Sequence, residues 1–201
     1  MLATSSYRYK ETMGQRDAAL VFTFHGTGGT ADQFHDLATQ LMPDAHVISP
    51  EGDVLEMGMQ RFFRRTGEGV YDMDDLARRT DKMAAFVTDH VARTGAKRVV
   101  GLGYSNGANI LAAVMLAKGA IFTDAVLMHP LIPWSPADNP DLAGQRLLIT
   151  AGKQDPICPA PQSEALQRYL KGQGADTTTH WHSGGHEIAR SEMDAIQAFF
   201  S

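Results

Sequence analysis

The sequence predicts an α/β protein with a mostly parallel central sheet and helices on both of its faces. Short apolar runs alternate with stretches of helical periodicity, and most of the runs end at glycine or proline. Strands that alternate with helices favour parallel pairing, because each connection crosses over a face of the sheet. The alternation covers all 201 residues without a repeat or a linker. We therefore expect residues 1–201 to form a single domain.

The first half of the chain predicts three strands, two helices and one long loop. Apolar runs that stop at Gly26 and Pro50 indicate strands, and the stretch before Gly95 begins with acidic residues, as helices do. A further helix is indicated by Phe34, Leu37, Ala38 and Leu41, which share one helical face. In order, the elements are an antiparallel edge strand at 4–10, a strand at 20–25, a helix at 31–42, a strand at 46–49, a loop at 51–69 and a helix at 72–93.

The second half predicts four strands and three helices. Glycines or prolines follow most of these elements, as at Gly119, Pro130 and Gly152. In order, the elements are a strand at 98–103, a helix at 106–118, strands at 124–129 and 146–151, a helix at 163–171, a strand at 176–182 and a helix at 187–200. No long insertion interrupts them, so we expect no large lid.

The composition excludes several classes of function. The formal net charge of −5 argues against a nucleic-acid binder, which would carry a basic face. The single cysteine excludes an internal disulfide framework. The first residues lack the apolar core of a signal peptide, and no apolar run has the length of a membrane span. We expect a cytoplasmic protein that binds neither nucleic acid nor membrane.

A nucleophile elbow is indicated near the middle of the chain. Gly103, Ser105 and Gly107 form a G-x-S-x-G that directly follows the apolar run 98–102 and opens a helix-like stretch. This strand–turn–helix context is the one the elbow requires, because the turn is so sharp that only small residues fit beside the serine. The sequence therefore predicts Ser105 as a nucleophile exposed above the edge of the sheet.

An acid and a base follow strands in the order that the elbow demands. A serine needs a base to take its proton, and the base needs an acid to orient it. Asp155 lies just past the strand at 146–151, and His186 lies in a glycine-rich turn just past the strand at 176–182. The order Ser105, Asp155, His186 is that of a triad on an α/β sheet. The rival acids are Asp138, Asp141 and Asp176, and the rival base is His129, which would break the order.

Two backbone amides are predicted to form an oxyanion hole. One belongs to Asn106, the residue after the nucleophile and the first of a helix, whose dipole adds positive potential. The other belongs to Thr27, in the glycine-rich turn His25 to Thr30 after an early strand. The same turn does not fit a phosphate-binding P-loop, because Thr30-Ala31-Asp32 stands where Gly-Lys-Ser/Thr would follow.

Four segments together resemble the α/β-hydrolase fold, and more closely its phospholipase/carboxylesterase branch of small bacterial esterases, related to dienelactone hydrolases. The resemblance covers nearly the whole chain and implies Ser105, Asp155 and His186 as the triad and Thr27 and Asn106 as the oxyanion donors. Dienelactone hydrolases proper carry a cysteine at the position of Ser105. The segments are 24–29 (FHGTGG), 103–109 (GYSNGAN), 152–159 (GKQDPICP) and 184–187 (GGHE), and the segment 60–65 (QRFFRR) also resembles this branch.

The sequence thus predicts a serine carboxylesterase that hydrolyses small to medium esters through an acyl-enzyme and needs no cofactor. A thioesterase or a lysophospholipase with the same triad is the enzymatic alternative. A non-catalytic receptor on a hydrolase fold is the other alternative. The partner we expect is a small-molecule ester, and the sequence is compatible with a homodimer.

Pocket residues and metal ligands are less strongly indicated. Phe62 and Trp134 lie in predicted loops after strands, and Ile157 lies beside Asp155, so we expect these three to line the substrate pocket. His180, His182 and His186 form H-x-H-x₃-H, but no carboxylate or cysteine is well placed in sequence to complete a zinc site, so we expect no metal.

Overall fold

The computed structural model describes residues 7–201, and within them the predicted alternation of strands and helices is present. The elements in chain order are β1 (Tyr9–Thr12), β2 (Leu20–Phe24), α1 (Asp32–Leu41), β3 (His46–Pro50), β4 (Val54–Glu56), β5 (Met59–Arg61), β6 (Arg65–Gly67), β7 (Val70–Tyr71), α2 (Met73–Thr94), β8 (Val99–Tyr104), α3 (Asn106–Lys118), β9 (Asp124–Met128), β10 (Arg146–Gly152), α4 (Ala160–Gly172), β11 (Asp176–His182) and α5 (Arg190–Phe200). A single 3₁₀ turn at Pro140–Leu142 precedes β10.

Seven of these strands form one central sheet in the order β1-β3-β2-β8-β9-β10-β11. Strand β1 pairs antiparallel with β3, and all of the other neighbours pair in parallel. The prediction of a mostly parallel sheet is confirmed. Because the parallel strands run in the same direction, the turns after β2, β8, β9, β10 and β11 all open at one edge of the sheet, where sites in open α/β sheets lie.

Helices cover both faces, as the alternating side chains of the strands require. Phe22 of β2 packs into a core shared with α2, α3 and α4, whereas Val21 faces the opposite core. The second face is covered by α1 and α5, which bring Phe34 and Ile196 against β8, β9 and β10. Helix α3 has no polar face, because it is buried along most of its length between the sheet and α2.

Two parts of the fold differ from the sequence prediction. The stretch 51–69, predicted as a loop, contains the short antiparallel hairpin β4–β5 and the strand β6, which pairs antiparallel with β7 directly after the stretch. The edge strand is antiparallel, as predicted, but occupies Tyr9–Thr12 rather than 4–10, and residues 4–6 lie outside the described residues. None of the helices described in residues 7–201 combines the length and the apolar character needed to cross a bilayer.

Local signals explain where the long helix α2 begins and ends. The side chain of Asp72 accepts a hydrogen bond from the Asp75 amide at 3.0 Å, which satisfies one of the free N–H groups of the first turn. Gly95 ends the helix with a φ of +68°, a left-handed conformation that glycine adopts without steric cost. This helix is one layer of the scaffold that holds α3 and the turn before it.

Candidate active site

The turn between β8 and α3 holds Ser105 in a strained backbone conformation. Its φ is +51° and its ψ is −116°, a region that residues with a side chain rarely occupy. The flanking glycines make the turn sterically feasible. A Cβ on Gly107 would lie 2.2 Å from the Phe24 carbonyl oxygen, and a Cβ on Gly103 would lie 2.7 Å from that of Gly107. The strain therefore depends on close backbone contacts that only glycine allows.

Gly107→Ala should lower the free energy of unfolding by about 3 kcal/mol or more, because the new methyl group would overlap backbone atoms of β2 that cannot rotate away. Urea denaturation followed by circular dichroism measures this. Gly172→Ala is the matched control. It lies at the exposed end of α4, where an added Cβ meets no atom within 4 Å, so we expect no loss of stability. Equal stability of the two variants would contradict the steric argument.

Ser105, His186 and Asp155 form a continuous chain of hydrogen bonds at the edge of the sheet. His186 Nε2 lies 2.9 Å from Ser105 Oγ, and His186 Nδ1 lies 2.7 Å from Asp155 Oδ2. The Tyr104 hydroxyl donates to the His186 carbonyl oxygen at 2.7 Å and fixes the turn that carries the imidazole. The three residues come from the turns after β8, β10 and β11, so the sheet places them together although they lie far apart in sequence.

Asp155 is fully enclosed and saturated with hydrogen bonds. Its Oδ1 accepts from the amides of Ile157 and Cys158 at 2.8 and 2.9 Å, while its Oδ2 faces His186. Burial alone would raise the pKa of Asp155, but the Cys158 amide and its histidine partners outweigh burial and lower the pKa below its ordinary value. The side chain is therefore an ionised acceptor in fixed orientation.

Thr27 and Asn106 both line the cleft in front of Ser105. Among the described residues, no hydrogen bond is recorded from the backbone N–H group of either one. Asn106 is the first residue of α3, so the helix dipole points at the same place. The turn that carries Thr27 is braced by Gln33, whose Oε1 accepts from the Gly26 amide at 2.8 Å, and by the Gly28 amide, which donates to the Gln60 carbonyl at 2.8 Å.

His25 adds a second brace to this turn. Its Nε2 accepts a hydrogen bond from the Gly52 amide at 2.9 Å, so the proton must lie on Nδ1, which donates to the Gly26 carbonyl at 2.7 Å. Burial lowers the pKa of His25, which keeps this neutral tautomer. The brace links the turn after β2 to the segment that precedes the hairpins.

The cleft in front of Ser105 has a volume of about 330 Å³ and is open to solvent. Arg61, Arg65 and Tyr71 form one part of its wall, and all three lie in the segment 54–71 that carries the two hairpins, the hairpin segment. Leu131 and Ile157 contribute apolar surface, so Ile157 borders the cleft, as expected from the sequence.

Two of the three predicted pocket residues lie elsewhere, and these expectations are corrected. Phe62 has no exposed surface and packs against Phe24 and His25 at ring-centroid distances of 5.8 and 4.6 Å, because the β4–β5 hairpin turns it into the core. Trp134 lines a separate hollow with Tyr169 of α4. Phe62 is apolar because it packs in the core, and Trp134 is apolar because it lines a different hollow.

Arg61 is a buried cation at the base of the cleft wall. Its Nη1 donates to Thr27 Oγ1 at 2.7 Å, and its Nε lies 3.3 Å from Glu56, which also pairs with Arg65 at 2.8 Å. Burial and the neighbouring Arg65 lower the pKa of Arg61, and Glu56 offsets part of this effect. Arg61 thus ties the hairpin wall to the side chain of Thr27.

The sequence offered His129 only as a rival base, and the structure places it against the same carboxylate as His186. His129 Nδ1 lies 2.8 Å from Asp155 Oδ2, and its Nε2 lies 3.0 Å from Glu192 Oε1. His129 directly follows β9, the position that made it a rival base in the sequence. It has no exposed surface, however, and does not reach Ser105. The only sequence signal was a histidine at a strand end, and Glu192 gave none.

Within residues 7–201, two trios of side chains have ligand atoms close enough together to hold a metal ion. They are His129 with Asp155 and His186, and His129 with His182 and Glu192. In the first trio and in the His129–Glu192 pair, nitrogen and oxygen atoms are already hydrogen-bonded to each other, which accounts for the clustering without an ion. His180 lies apart from both and contacts Ser191 at 3.1 Å.

Two of the rival acids, Asp176 and Asp138, have no contact with the triad residues. Asp176 begins β11, at the opposite edge of the sheet from Ser105, and Asp138 accepts from Gln173 at 3.1 Å. Cys158 is buried, its Sγ lies 3.1 Å from the His129 carbonyl oxygen, and burial raises the pKa of its thiol well above the ordinary value. It is a packed thiol, as the low reactivity of buried cysteines leads one to expect.

The chain is similar to known hydrolases over almost its entire length. Residues 59–197 match the model of the Dienelactone hydrolase family. The putative hydrolase MhqD of Bacillus subtilis is 40% identical over 190 residues, which cover 93% of this chain and 94% of that protein.

Solved structures share the same fold. The protein Atu2452 of Agrobacterium tumefaciens, whose function is unknown, is 50% identical and superposes with a TM-score of 0.93 over 99% of this chain and 98% of that one. A carboxylesterase from Bacillus cereus is 34% identical and superposes with a TM-score of 0.89 over 96% of this chain and 93% of its own. The sheet and its helices are thus those of the α/β-hydrolase fold.

Proposed function

Because this chain belongs to the dienelactone hydrolase family, and is a hydrolase of the dienelactone hydrolase and carboxylesterase kind, we propose that it is a serine carboxylesterase acting through Ser105, His186 and Asp155. The observation that carries the proposal is the hydrogen-bond chain from Ser105 Oγ to His186 Nε2 at 2.9 Å and from His186 Nδ1 to Asp155 Oδ2 at 2.7 Å. These distances are within the range that proton transfer requires.

The polarity of this chain of hydrogen bonds defines the roles. Asp155 accepts a hydrogen bond from His186 Nδ1–H, which leaves Nε2 free to accept from the Ser105 hydroxyl. Ser105 Oγ attacks the ester carbonyl as His186 takes its proton, and the amides of Thr27 and Asn106 stabilise the oxyanion. His186 then delivers the proton to the leaving alcohol. A water molecule activated by His186 releases the acid from the acyl-enzyme and restores the serine.

The shape of the cleft supports small to medium carboxylic esters as substrates. A volume of about 330 Å³ lies at the lower end of the range for small-molecule sites. The open hairpin wall leaves the acyl-enzyme accessible to the water that must hydrolyse it.

A fluorophosphonate probe tests the nucleophile directly. We expect mass spectrometry of the digested protein to find one adduct, on Ser105, and we expect denatured protein to remain unlabelled because the activating histidine is then absent. An adduct on another serine of the folded protein would overturn the assignment of Ser105.

A substrate panel tests the chemical class. We expect kcat/KM to be highest for acetyl to hexanoyl p-nitrophenyl esters and to fall by at least tenfold for long-chain esters and lysophospholipids, which exceed the cleft. Acyl-CoA thioesters are the comparison that separates ester from thioester hydrolysis. Faster turnover of a thioester than of the ester with the same acyl group would replace the carboxylesterase proposal by a thioesterase.

A further inference from the structure

We propose that His129 is a buried imidazolium cation that bridges Asp155 and Glu192 and thereby positions Asp155 for His186. The proposal rests on the proposed triad, because it assigns a function to the groups behind it. His129 contacts neither the cleft nor Ser105, so it is a positioning residue that acts through Asp155.

The hydrogen-bond partners of His129 determine its charge. Nδ1 lies 2.8 Å from Asp155 Oδ2 and Nε2 lies 3.0 Å from Glu192 Oε1, so each ring nitrogen faces a carboxylate oxygen. A carboxylate can only accept, and a neutral imidazole can donate from only one nitrogen. Two donated hydrogen bonds therefore require both nitrogens to carry a proton.

The surroundings of Glu192 favour its ionised form. The Ala189 amide donates to Glu192 Oε2, and His182 Nε2 lies 3.4 Å from the same oxygen. His182 Nδ1 accepts from the Gly184 amide at 3.1 Å, so the proton of a neutral His182 lies on Nε2, although Nε2 forms no hydrogen bond with Glu192. The Ala189 amide is thus the direct donor to Glu192 besides His129.

Burial makes the charge on His129 important for stability. The side chains of His129, Asp155 and Glu192 all have 0% exposed surface, so two carboxylates without a cation between them would be strongly destabilised. Burial alone would lower the pKa of His129, but its hydrogen bonds to Glu192 and Asp155 outweigh burial and raise it. The pKa of Glu192 is held below its ordinary value chiefly by His129, against the effect of burial.

The backbone conformation at His129 also supports this arrangement. His129 has a φ of +50°, a left-handed conformation that costs energy in a residue with a side chain, and its amide donates to the Thr150 carbonyl at 2.9 Å. The turn directs the imidazole inward between β10 and α5 instead of toward the cleft.

The charge on His129 bears on the base of the triad. The rings of His129 and His186 lie 5.1 Å apart, close enough for like charges to oppose each other. A positive charge on His129 therefore opposes the positive charge that His186 acquires when it takes the proton of Ser105, and removal of the His129 charge relieves that opposition. The other titratable groups around His129 are Asp155 after β10, Glu192 on α5, His182 on β11 at 5.4 Å, Tyr104 on β8 at 5.9 Å and the thiol of Cys158 at the backbone carbonyl.

Two variants remove the cation in different ways. His129→Asn retains a residue that tolerates positive φ and an amide that can donate to Asp155, but it carries no charge. In Glu192→Gln the amide oxygen can keep the hydrogen bond from the Ala189 amide, which turns the NH₂ group toward His129 Nε2. His129 then becomes neutral and keeps its bond to Asp155. For both, we expect the acidic limb of the kcat/KM profile to move to higher pH by about one unit.

The matched control is His180→Asn, which removes a histidine of β11 that contacts only Ser191 through its ring. We expect its profile to coincide with that of the wild type. An unchanged acidic limb in both His129→Asn and Glu192→Gln, or a shift to lower pH, would overturn the positioning function of His129.

Nitrogen-15 NMR of the histidine side chains tests the charge without using activity. At pH 8 we expect one imidazole with both nitrogens protonated, absent from His129→Asn and converted to a single protonated nitrogen in Glu192→Gln. A neutral His129 at pH 8 in the wild type would overturn the proposal, even if neither variant folds. Failure of the proposed function can be told apart from failure of this inference. A fully active Ser105→Ala protein would disprove the proposed triad but would leave the NMR result for His129 unchanged.

Discussion

Ser105→Ala should lower kcat for a p-nitrophenyl ester by roughly 10³-fold or more while the protein remains folded. The substitution removes the Oγ atom that lies 2.9 Å from His186 Nε2, so no acyl-enzyme can form. The amides of Thr27 and Asn106 remain, and with substrate binding they account for the residual rate. The rate is measured as initial release of nitrophenolate, with circular dichroism as the check on folding.

Ser191→Ala is the matched control for this variant. Ser191 is a serine on α5 whose hydroxyl contacts His180, away from the cleft, so its kcat should equal that of the wild type. Full activity in a folded Ser105→Ala protein would exclude Ser105 as the nucleophile, whatever the control shows.

Asp155→Asn should lower kcat by roughly 10³- to 10⁴-fold, with a smaller change in KM. The asparagine has the shape of the aspartate, but its amide nitrogen can donate toward His186 Nδ1. His186 would then carry its proton on Nε2, where it can no longer accept from Ser105. The same experiment, with the same ester, measures kcat and KM separately over a range of substrate concentrations.

The other aspartates that the sequence offered as acids provide the comparison. Asp138→Asn, Asp141→Asn and Asp176→Asn should each leave kcat within about twofold, since surface substitutions seldom couple to a distant site. A near-normal kcat in Asp155→Asn together with a large loss in one of these three would move the acid to that residue.

The sequence contained enough information for the sheet and for the groups that meet at its edge. The elbow is a local signal, because Gly103, Ser105 and Gly107 stand within five residues between a strand and a helix, although the contact that requires Gly107 is with the distant Phe24. The positions of Asp155 and His186 followed from strand order, since the turns after parallel strands meet at one edge.

Features that depend on contacts distant in sequence could not be predicted. His129 meets Asp155 and Glu192 only because β9, β10 and α5 pack together, and a single sequence carries no sign of such a meeting. Phe62 was misassigned for the same reason, because a hairpin of three-residue strands decides which way it points. Strands this short leave no periodicity to detect, so the hairpins were themselves missed.

The wall of the cleft also determines how this protein could acquire new substrates. The hairpin segment contributes no strand to the central sheet, yet Phe62 and Phe63 anchor it with fully buried rings. The turns of the two hairpins do not anchor the segment in this way. Met57, in the first turn, is 94% exposed, and Glu68 and Gly69, in the second turn, border the cleft. Natural or directed evolution can therefore change the residues of these two turns while Phe62, Phe63 and the side chains around Ser105 stay unchanged.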